Sequence, residues 1–191
     1  MKFTHPLILA LVATGSLTAC QTLPKTAPVI NEQVYDDVLR FAITGKIGIT
    51  TNTANGKQAG SAFYNWGQED ERFAIDLTGA FGMGATQIRY DGQQATLTND
   101  KGEIQADSPE ALLQKATGWH APISHLPHWI VGKTAQGDTD SQQDEQGRLT
   151  QSTNDDWTAS FEYPKNSPRP SRLVINHTDG HRVVMTIVYP N

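Results

Sequence analysis

Residues 41–49 read Phe-Ala-Ile-Thr-Gly-Lys-Ile-Gly-Ile, and this stretch indicates the fold class. Phe41, Ile43, Ile47 and Ile49 occupy odd positions, with polar or small residues between them. Because successive side chains of a β-strand point to opposite faces, the alternation predicts a strand with one apolar face. A strand of this kind belongs to an antiparallel sheet that covers a core on one side.

The two-residue period recurs on both sides of this stretch. A polar, glycine-rich segment at 52–60 predicts a turn, and Asp179-Gly180 predicts a two-residue hairpin turn. Both faces of the last strand are largely apolar, so we expect both to be covered. The predicted strands, after the one already quoted, are 61–66, 72–77, 85–90, 94–98, 148–153, 156–163, 172–178 and 182–189.

Three short helices are predicted: one precedes the first strand, and two lie together where the run of strands is interrupted. The first is predicted over 31–39, and a second of them starts at Ser108-Pro109, where serine caps the helix and proline suits its first position, and stops at Gly118. The third is predicted over 123–131, before Gly132. The fold class is therefore mainly β with a few helices (α+β), in which helices close an apolar space on a curved antiparallel sheet.

The N-terminus has the features of a lipoprotein signal peptide. Lys2 precedes a short apolar run that ends in Leu17-Thr18-Ala19-Cys20, an aliphatic residue and two small ones before a cysteine. This arrangement resembles the lipobox, in which the thiol takes a diacylglycerol thioether. Cys20 is the only cysteine of the sequence, so no disulfide can form within it. We therefore expect no separate cofactor, only covalent diacylglycerol and an N-acyl chain on Cys20.

These features divide the chain into a signal peptide (1–19), a lipidated N-terminus with a proline-containing flexible tether (20–30) and one domain (31–191). Aspartate at position 21 would resemble an inner-membrane retention signal. This chain has Gln21 instead, which favours the outer membrane. The net charge of −5 argues against nucleic acid and gives no attraction to an anionic membrane, so the acyl anchor must hold the protein there.

An apolar loop follows one of the predicted strands. Phe81 and Met83 stand among Gly79, Gly82 and Gly84, and no charged residue occurs from 77 to 87. The two large side chains either fold back onto the core or project as a finger into a bilayer or a partner.

Other sites are disfavoured. His120, His125 and His128 have no neighbouring acidic residue or cysteine in sequence to complete a zinc site, and we interpret them as surface or rim residues. Asp155 and Asp156 are adjacent, so in a strand they would point to opposite faces, and no nucleophile elbow is present. Residues 132–134 read Gly-Lys-Thr but lack the upstream glycine of a phosphate-binding loop, whose place is taken by Pro127. We predict no enzyme and no metal.

Taken together, the chain resembles the outer-membrane lipoprotein LolB family over most of its mature length. Four segments carry the resemblance, together with the lipobox: Phe41-x-Ile43-x-Gly45-Lys46-Ile47, Leu77-Thr78-Gly79-Ala80-Phe81-Gly82, Asp107-Ser108-Pro109-Glu110-Ala111-Leu112-Leu113, and Pro122-x-x-x-Leu126-x-x-Trp129-Ile130-x-Gly132.

The resemblance implies an incomplete, curved antiparallel barrel with a helical lid over an apolar cavity. In the family, a leucine in the projecting loop helps insert cargo into the membrane, and Phe81 occupies the matching place; whether Phe81 or Met83 forms the tip is open. Trp66, Trp119, Trp129 and Trp157 suit either a core or a cavity wall. We expect the first three of these tryptophans, with Phe73 and Ile75, to line the cavity or its mouth.

The function that the resemblance implies is lipoprotein transport. The protein would be a monomeric receptor, lipid-anchored in the outer membrane and facing the periplasm. It would take outer-membrane lipoproteins from the carrier LolA by their acyl chains and insert them into the inner leaflet, without ATP. The alternative is a structural or assembly lipoprotein whose apolar sheet face docks a protein partner.

Overall fold

The computed structural model of this protein describes residues 39–53, 56–79 and 85–190. Several of the predictions above fall wholly or almost wholly outside these residues and stay predictions: the signal peptide 1–19, the tether 20–30 with Cys20, the helix 31–39, and the loop residues Phe81, Gly82 and Met83.

The described residues form one open, curved antiparallel sheet of eleven strands, in the order β6-β5-β4-β3-β2-β1-β11-β10-β9-β8-β7. The mainly β class and the incomplete barrel are therefore confirmed. The strands are β1 Arg40–Thr53, β2 Gly56–Glu69, β3 Arg72–Thr78, β4 Thr86–Tyr90, β5 Ala95–Asn99, β6 Gly102–Ala106, β7 Thr139–Gln143, β8 Leu149–Asn154, β9 Trp157–Glu162, β10 Arg172–His177 and β11 Arg182–Val188.

Side-chain alternation directs the apolar residues to one face, as predicted. Phe41 and Ile43 of β1 are buried, and in β2 the even positions from Ala62 to Gln68 are buried while the odd positions are exposed. The prediction that both faces of the last strand are covered is wrong. Val188, on the outer face of β11, is 57% exposed.

The predicted turn at 52–60 is also wrong in extent. β1 continues to Thr53 and β2 begins at Gly56, and these two residues are paired in register. Polar residues such as Thr51 and Gln58 gave no burial signal, but the backbone ladder of a long hairpin forms without one. The hairpin turn predicted at Asp179-Gly180 has three residues, 178–180, and not two. The N–H of His177 donates to the carbonyl of His181, and this pair closes the turn.

Two edge strands were not predicted. β7 is exposed along its whole length and pairs with β8 irregularly, so its sequence carries no apolar period. β6 is a five-residue strand with two half-buried residues, Ile104 and Ala106. Both are short and polar, which is how sheet edges avoid pairing with other chains.

Two helical segments lie between β6 and β7. α1, Pro109–Thr117, has the predicted ends: Ser108 Oγ accepts the N–H of Ala111 at 3.1 Å, and Gly118 takes a left-handed φ of 82°. The second segment is a 3₁₀ turn, Ile123–His125, that leads directly into α2, Leu126–Ile130. It falls within the predicted 123–131.

Gly45, one of the residues that carry the resemblance, is needed for close packing of β1 on β11. A Cβ atom at this position would lie 1.9 Å from the carbonyl oxygen of Thr186. The same carbonyl accepts a hydrogen bond from the hydroxyl of Tyr64 at 2.8 Å. Only glycine leaves room for this contact.

Candidate functional site

A cavity of about 1050 Å³ lies on the concave face of the sheet, under the two helices. Its volume is at the upper end of the range of ligand pockets, about 300–1,000 Å³. The sheet contributes mainly aliphatic and aromatic side chains, and α1 contributes Leu112, Leu113 and Ala116 from above. The aliphatic wall of the sheet includes Ile47, Ile49, Ile75, Leu77, Ile88 and Leu97.

The structure places all five residues proposed for the cavity around it: Trp66, Trp119, Trp129, Phe73 and Ile75. Trp66 and Trp129 are 3% and 0% exposed, so these rings belong to the packed core on one side and to the cavity wall on the other. The two interpretations of the tryptophans, core or cavity, are thus compatible. Trp157 also borders the cavity, although its sequence position gave no reason to choose it.

A row of four aromatic rings runs across neighbouring strands, and two of its members, Trp66 and Phe73, line the cavity. Phe41, Trp66, Phe73 and Tyr90 follow one another with centroid separations of 5.9 Å. The indole N–H of Trp66 donates to Gln68 Oε1 at 2.9 Å, which satisfies the polar atom of the ring. Tilted aromatic contacts of this kind keep the shape of the wall.

The mouth of the cavity lies at the end of the sheet where β1 turns into β2, β5 into β6, and β10 into β11. Its lining there is more polar, and it includes Asn52 and Lys101, both exposed. At the β10–β11 turn, the ring of His181 stacks on Trp119 at 5.6 Å, and its Nδ1 accepts the N–H of Asn52 at 3.1 Å. The half-buried Trp119 thereby connects the roof to the sheet.

A buried carboxylate fixes the α2 part of the roof. The Asp138 side chain is 1% exposed, and it accepts hydrogen bonds from Trp129 Nε1 at 2.7 Å, Ser152 Oγ at 2.7 Å and the N–H of Ala135 at 2.9 Å. His125 Nδ1 lies 2.7 Å from its other oxygen. Burial acts to raise the pKa of Asp138, but these hydrogen bonds outweigh burial and hold the pKa below its ordinary value.

Sequence reasoning missed this network. Asp138 follows α2 by eight residues in a polar loop, and Ser152 is farther still, on β8. The Asp138 network also changes the interpretation of the histidines. His120 is exposed as expected, but the His125 side chain is only 15% exposed and meets a carboxylate that is distant in sequence.

Burial lowers the pKa of His128, and the nearby charge of His125 adds to this effect. The part of the chain that the structure describes contains no group of three His, Cys, Asp or Glu side chains placed to hold a metal ion. Asp155 and Asp156 lie in the turn between β8 and β9, and not in a strand.

The predicted membrane-insertion loop is bounded by described residues. Gly79 and Ala85, both exposed, stand on its two sides, and its predicted tip residues Phe81 and Met83 lie outside the described chain. Within residues 39–53, 56–79 and 85–190, no helix has the length and apolarity needed to span a membrane.

Comparison with known proteins identifies the family. A family model described as outer membrane lipoprotein LolB matches residues 39–188. The chain belongs to the LolB family. The match contains both helices and all eleven strands, and therefore every described residue of the LolB-family cavity.

Curated LolB-family relatives are similar over different lengths. A protein from Bordetella petrii is 31% identical over 177 residues, 90% of this chain and 85% of the relative. One from Tolumonas auensis is 30% identical over 151 residues, 76% of this chain and 75% of the relative. One from Chromohalobacter salexigens is 34% identical over 122 residues, 63% of this chain and 55% of the relative, so that match spans little more than half of it. All three are named outer-membrane lipoprotein LolB.

Among solved structures, a LolA-superfamily protein from Nitrosomonas europaea is similar with a TM-score of 0.42 and 12% identity, over 78% of this chain and 84% of that one.

Proposed function

We propose that this protein is a lipoprotein receptor of the outer membrane. It takes lipoproteins from the periplasmic carrier LolA, binds their acyl chains in the cavity, and inserts them into the inner leaflet of the outer membrane. The observation that carries the proposal is an apolar cavity of about 1050 Å³ under a helical roof in a chain of the LolB family.

The chemistry of the walls supports acyl chains as the ligand. Each methylene transferred from water to an apolar site contributes about 0.8 kcal/mol, so a chain of ordinary length must be shielded throughout its passage. Aliphatic side chains such as Ile47 and Leu97 offer apolar contacts to methylene groups, and these contacts do not depend on the orientation of the chain. The buried rings of Trp66 and Trp129 keep the cavity shaped when no chain occupies it.

One-way transfer of the cargo from LolA to the membrane requires no ATP. A cargo moves from LolA to the receptor if the receptor binds its acyl chains more tightly, and it moves on if the bilayer binds them more tightly still. The predicted lipid on Cys20 holds the receptor at its destination, facing the periplasm. The predicted loop with Phe81, Gly82 and Met83 would carry the chains across the last step into the bilayer.

The transfer experiment separates this function from the alternative of a protein-docking lipoprotein. The full lipidated chain in liposomes is mixed with LolA that carries a fluorescent triacylated lipoprotein. We expect the label to move from the soluble to the liposome fraction, and liposomes without the chain serve as the control. Retention of the label on LolA at all receptor concentrations would contradict the receptor function and favour docking.

Phe81→Glu separates uptake from delivery. A carboxylate resists transfer into the hydrocarbon region, so we expect the variant to accept cargo from LolA but to insert it into liposomes at least tenfold more slowly. Phe81→Leu is the matched control and should deliver normally. Delivery by Phe81→Glu at the rate of the unchanged protein would remove Phe81 from the mechanism, and the same pair of variants at Met83 would then test the other candidate tip.

A further inference from the structure

Thr86 is a polar residue in an apolar surrounding. It is 4% exposed, it borders the cavity, and among the described residues its hydroxyl has no hydrogen-bond partner. Buried hydroxyl groups in proteins are nearly always hydrogen-bonded, because an unpaired one is destabilising. A hydroxyl kept at this position therefore suggests a partner that arrives with the ligand.

The hydroxyl can reach the cavity by a side-chain rotation. Thr86 Oγ1 itself has almost no accessible surface, but a change of χ1 to another staggered rotamer moves the hydroxyl to the place that the methyl group or the Cβ hydrogen held before. Such a rotation needs no movement of the backbone. In the register of the sheet, Thr86 faces the same side as Leu77 and Tyr64, which also line the cavity.

The position of Thr86 is near the polar mouth. It is the first residue of β4, directly after the predicted insertion loop, and its strand pairs with β5, where Asn99 also borders the cavity. Lys101, in the β5–β6 turn, is a cation at the cavity border. Glu103, an acid at the same border, accepts hydrogen bonds at both oxygens, from Thr98 and Gln105. This side of the mouth therefore offers donors.

The ligand groups that match donors are carbonyl oxygens. An acyl chain is joined to the cysteine of a lipoprotein through ester and amide linkages, whose carbonyl oxygens only accept hydrogen bonds. If the chains lie along the apolar wall, the linkages lie at the polar end, where the cargo protein must leave the cavity.

We propose that the Thr86 hydroxyl donates a hydrogen bond to an ester or amide carbonyl that joins the acyl chains to the cargo lipoprotein. This bond sets how deep the chains lie in the cavity. This inference rests on the proposed function. It makes the site selective for acylated molecules over hydrocarbon chains of the same length.

The test compares two ligands that differ in their carbonyl groups. Dihexanoylglycerol has two ester carbonyls, and dihexyl glycerol ether has the same number of chain carbons and none. Binding of each to the full chain held in nanodiscs is measured by titration calorimetry, with nanodiscs alone subtracted. We expect the ester to bind about two- to tenfold more tightly, the usual contribution of one hydrogen bond.

Thr86→Val has the same shape without the hydroxyl. We expect it to lose the preference for the ester, to keep its affinity for the ether, and to be at least as stable in thermal unfolding as the unchanged protein. Thr86→Ser, which keeps the hydroxyl, should keep the preference. Thr44→Val, on the exposed outer face of β1, is the matched control and should bind both ligands unchanged.

The outcomes distinguish the two proposals. A preference that persists in Thr86→Val, or that the unchanged protein lacks while binding both ligands, overturns the role of Thr86 and leaves the receptor function standing. Absence of binding for both ligands overturns the role of Thr86, and if transfer from LolA fails as well, the receptor function is overturned with it.

Discussion

The two helices that roof the cavity are held in different ways. In α2, Pro127, Trp129 and Ile130 are buried, and Trp129 is bonded through Asp138 to Ser152 of the sheet. α1 has nine residues, of which only Pro109 and Leu112 are buried. Ser108, which caps the start of α1, and Lys115, in its last turn, both make their hydrogen bonds at the exposed surface.

The difference indicates which part of the roof can move. Segments with few buried contacts and exposed hydrogen bonds open at the lowest free energy, whereas buried networks open only with the whole domain. We infer that α2 is a fixed part of the wall and that α1 is the part of the roof that opens at lower free energy. Substitutions at Asp138 and Ser108 test this contrast.

The largest effect is expected for Asp138→Ala. The substitution leaves Trp129 Nε1, Ser152 Oγ and the N–H of Ala135 buried without their acceptor, and each unsatisfied group costs about 1–3 kcal/mol. We expect the free energy of unfolding to fall by about 3 kcal/mol or more, measured by urea denaturation. Asp156→Ala, at an exposed turn, should change it by less than about 0.5 kcal/mol. A loss of similar size in both variants would mean that α2 is not fixed by this network.

A smaller effect is expected for Ser108→Ala at the start of α1. Loss of the cap costs about 1 kcal/mol of helix stability. Because few residues of α1 are buried, we expect most of this loss to appear as faster amide hydrogen exchange within α1. The exchange rates of the sheet should increase less. Ser61→Ala, at an exposed position of β2, is the control. Equal acceleration across all strands would show that α1 opens only with the domain.

The smallest effect concerns pH. The folded-state pKa of Asp138 is lower than the unfolded value of about 3.9, so the stability that its charge contributes is complete above about pH 4 and is lost as the pH falls through the folded-state pKa. Asp138→Asn cannot titrate there. We expect its free energy of unfolding, lower at pH 7, to fall less between pH 5 and pH 3 than that of the unchanged protein. Parallel curves would contradict the role of the Asp138 charge.

Much of the fold follows from local patterns. The odd-position residues Phe41 and Ile43 direct β1 to the core, and Ser108, Pro109 and Gly118 set the ends of α1. These signals were readable because strand alternation and helix capping act between residues a few positions apart. The strands β6 and β7 were missed for the same reason, since edge strands without a buried face carry no such period.

The candidate site was predictable in composition but not in arrangement. Trp66, Trp129 and Phe73 were expected beside the cavity because large rigid rings suit its wall, and the structure places them there. Nothing in the sequence indicated that Asp138 meets Trp129 and Ser152, or that the hydroxyl of Thr86 has no hydrogen-bond partner among the described residues. Those relations depend on which strands become neighbours.

The sequence by itself determined the alternating strands, the capped helix α1 and, through its motifs, membership of the LolB family. The tertiary structure alone decided the order of the strands and which side chains line the cavity beneath the roof. It also decided that one roof helix is anchored by a buried carboxylate and the other is not. The physical reason is range. Backbone propensity and capping act between neighbours in the chain, whereas cavity volume and buried hydrogen bonds depend on atoms brought together from distant segments.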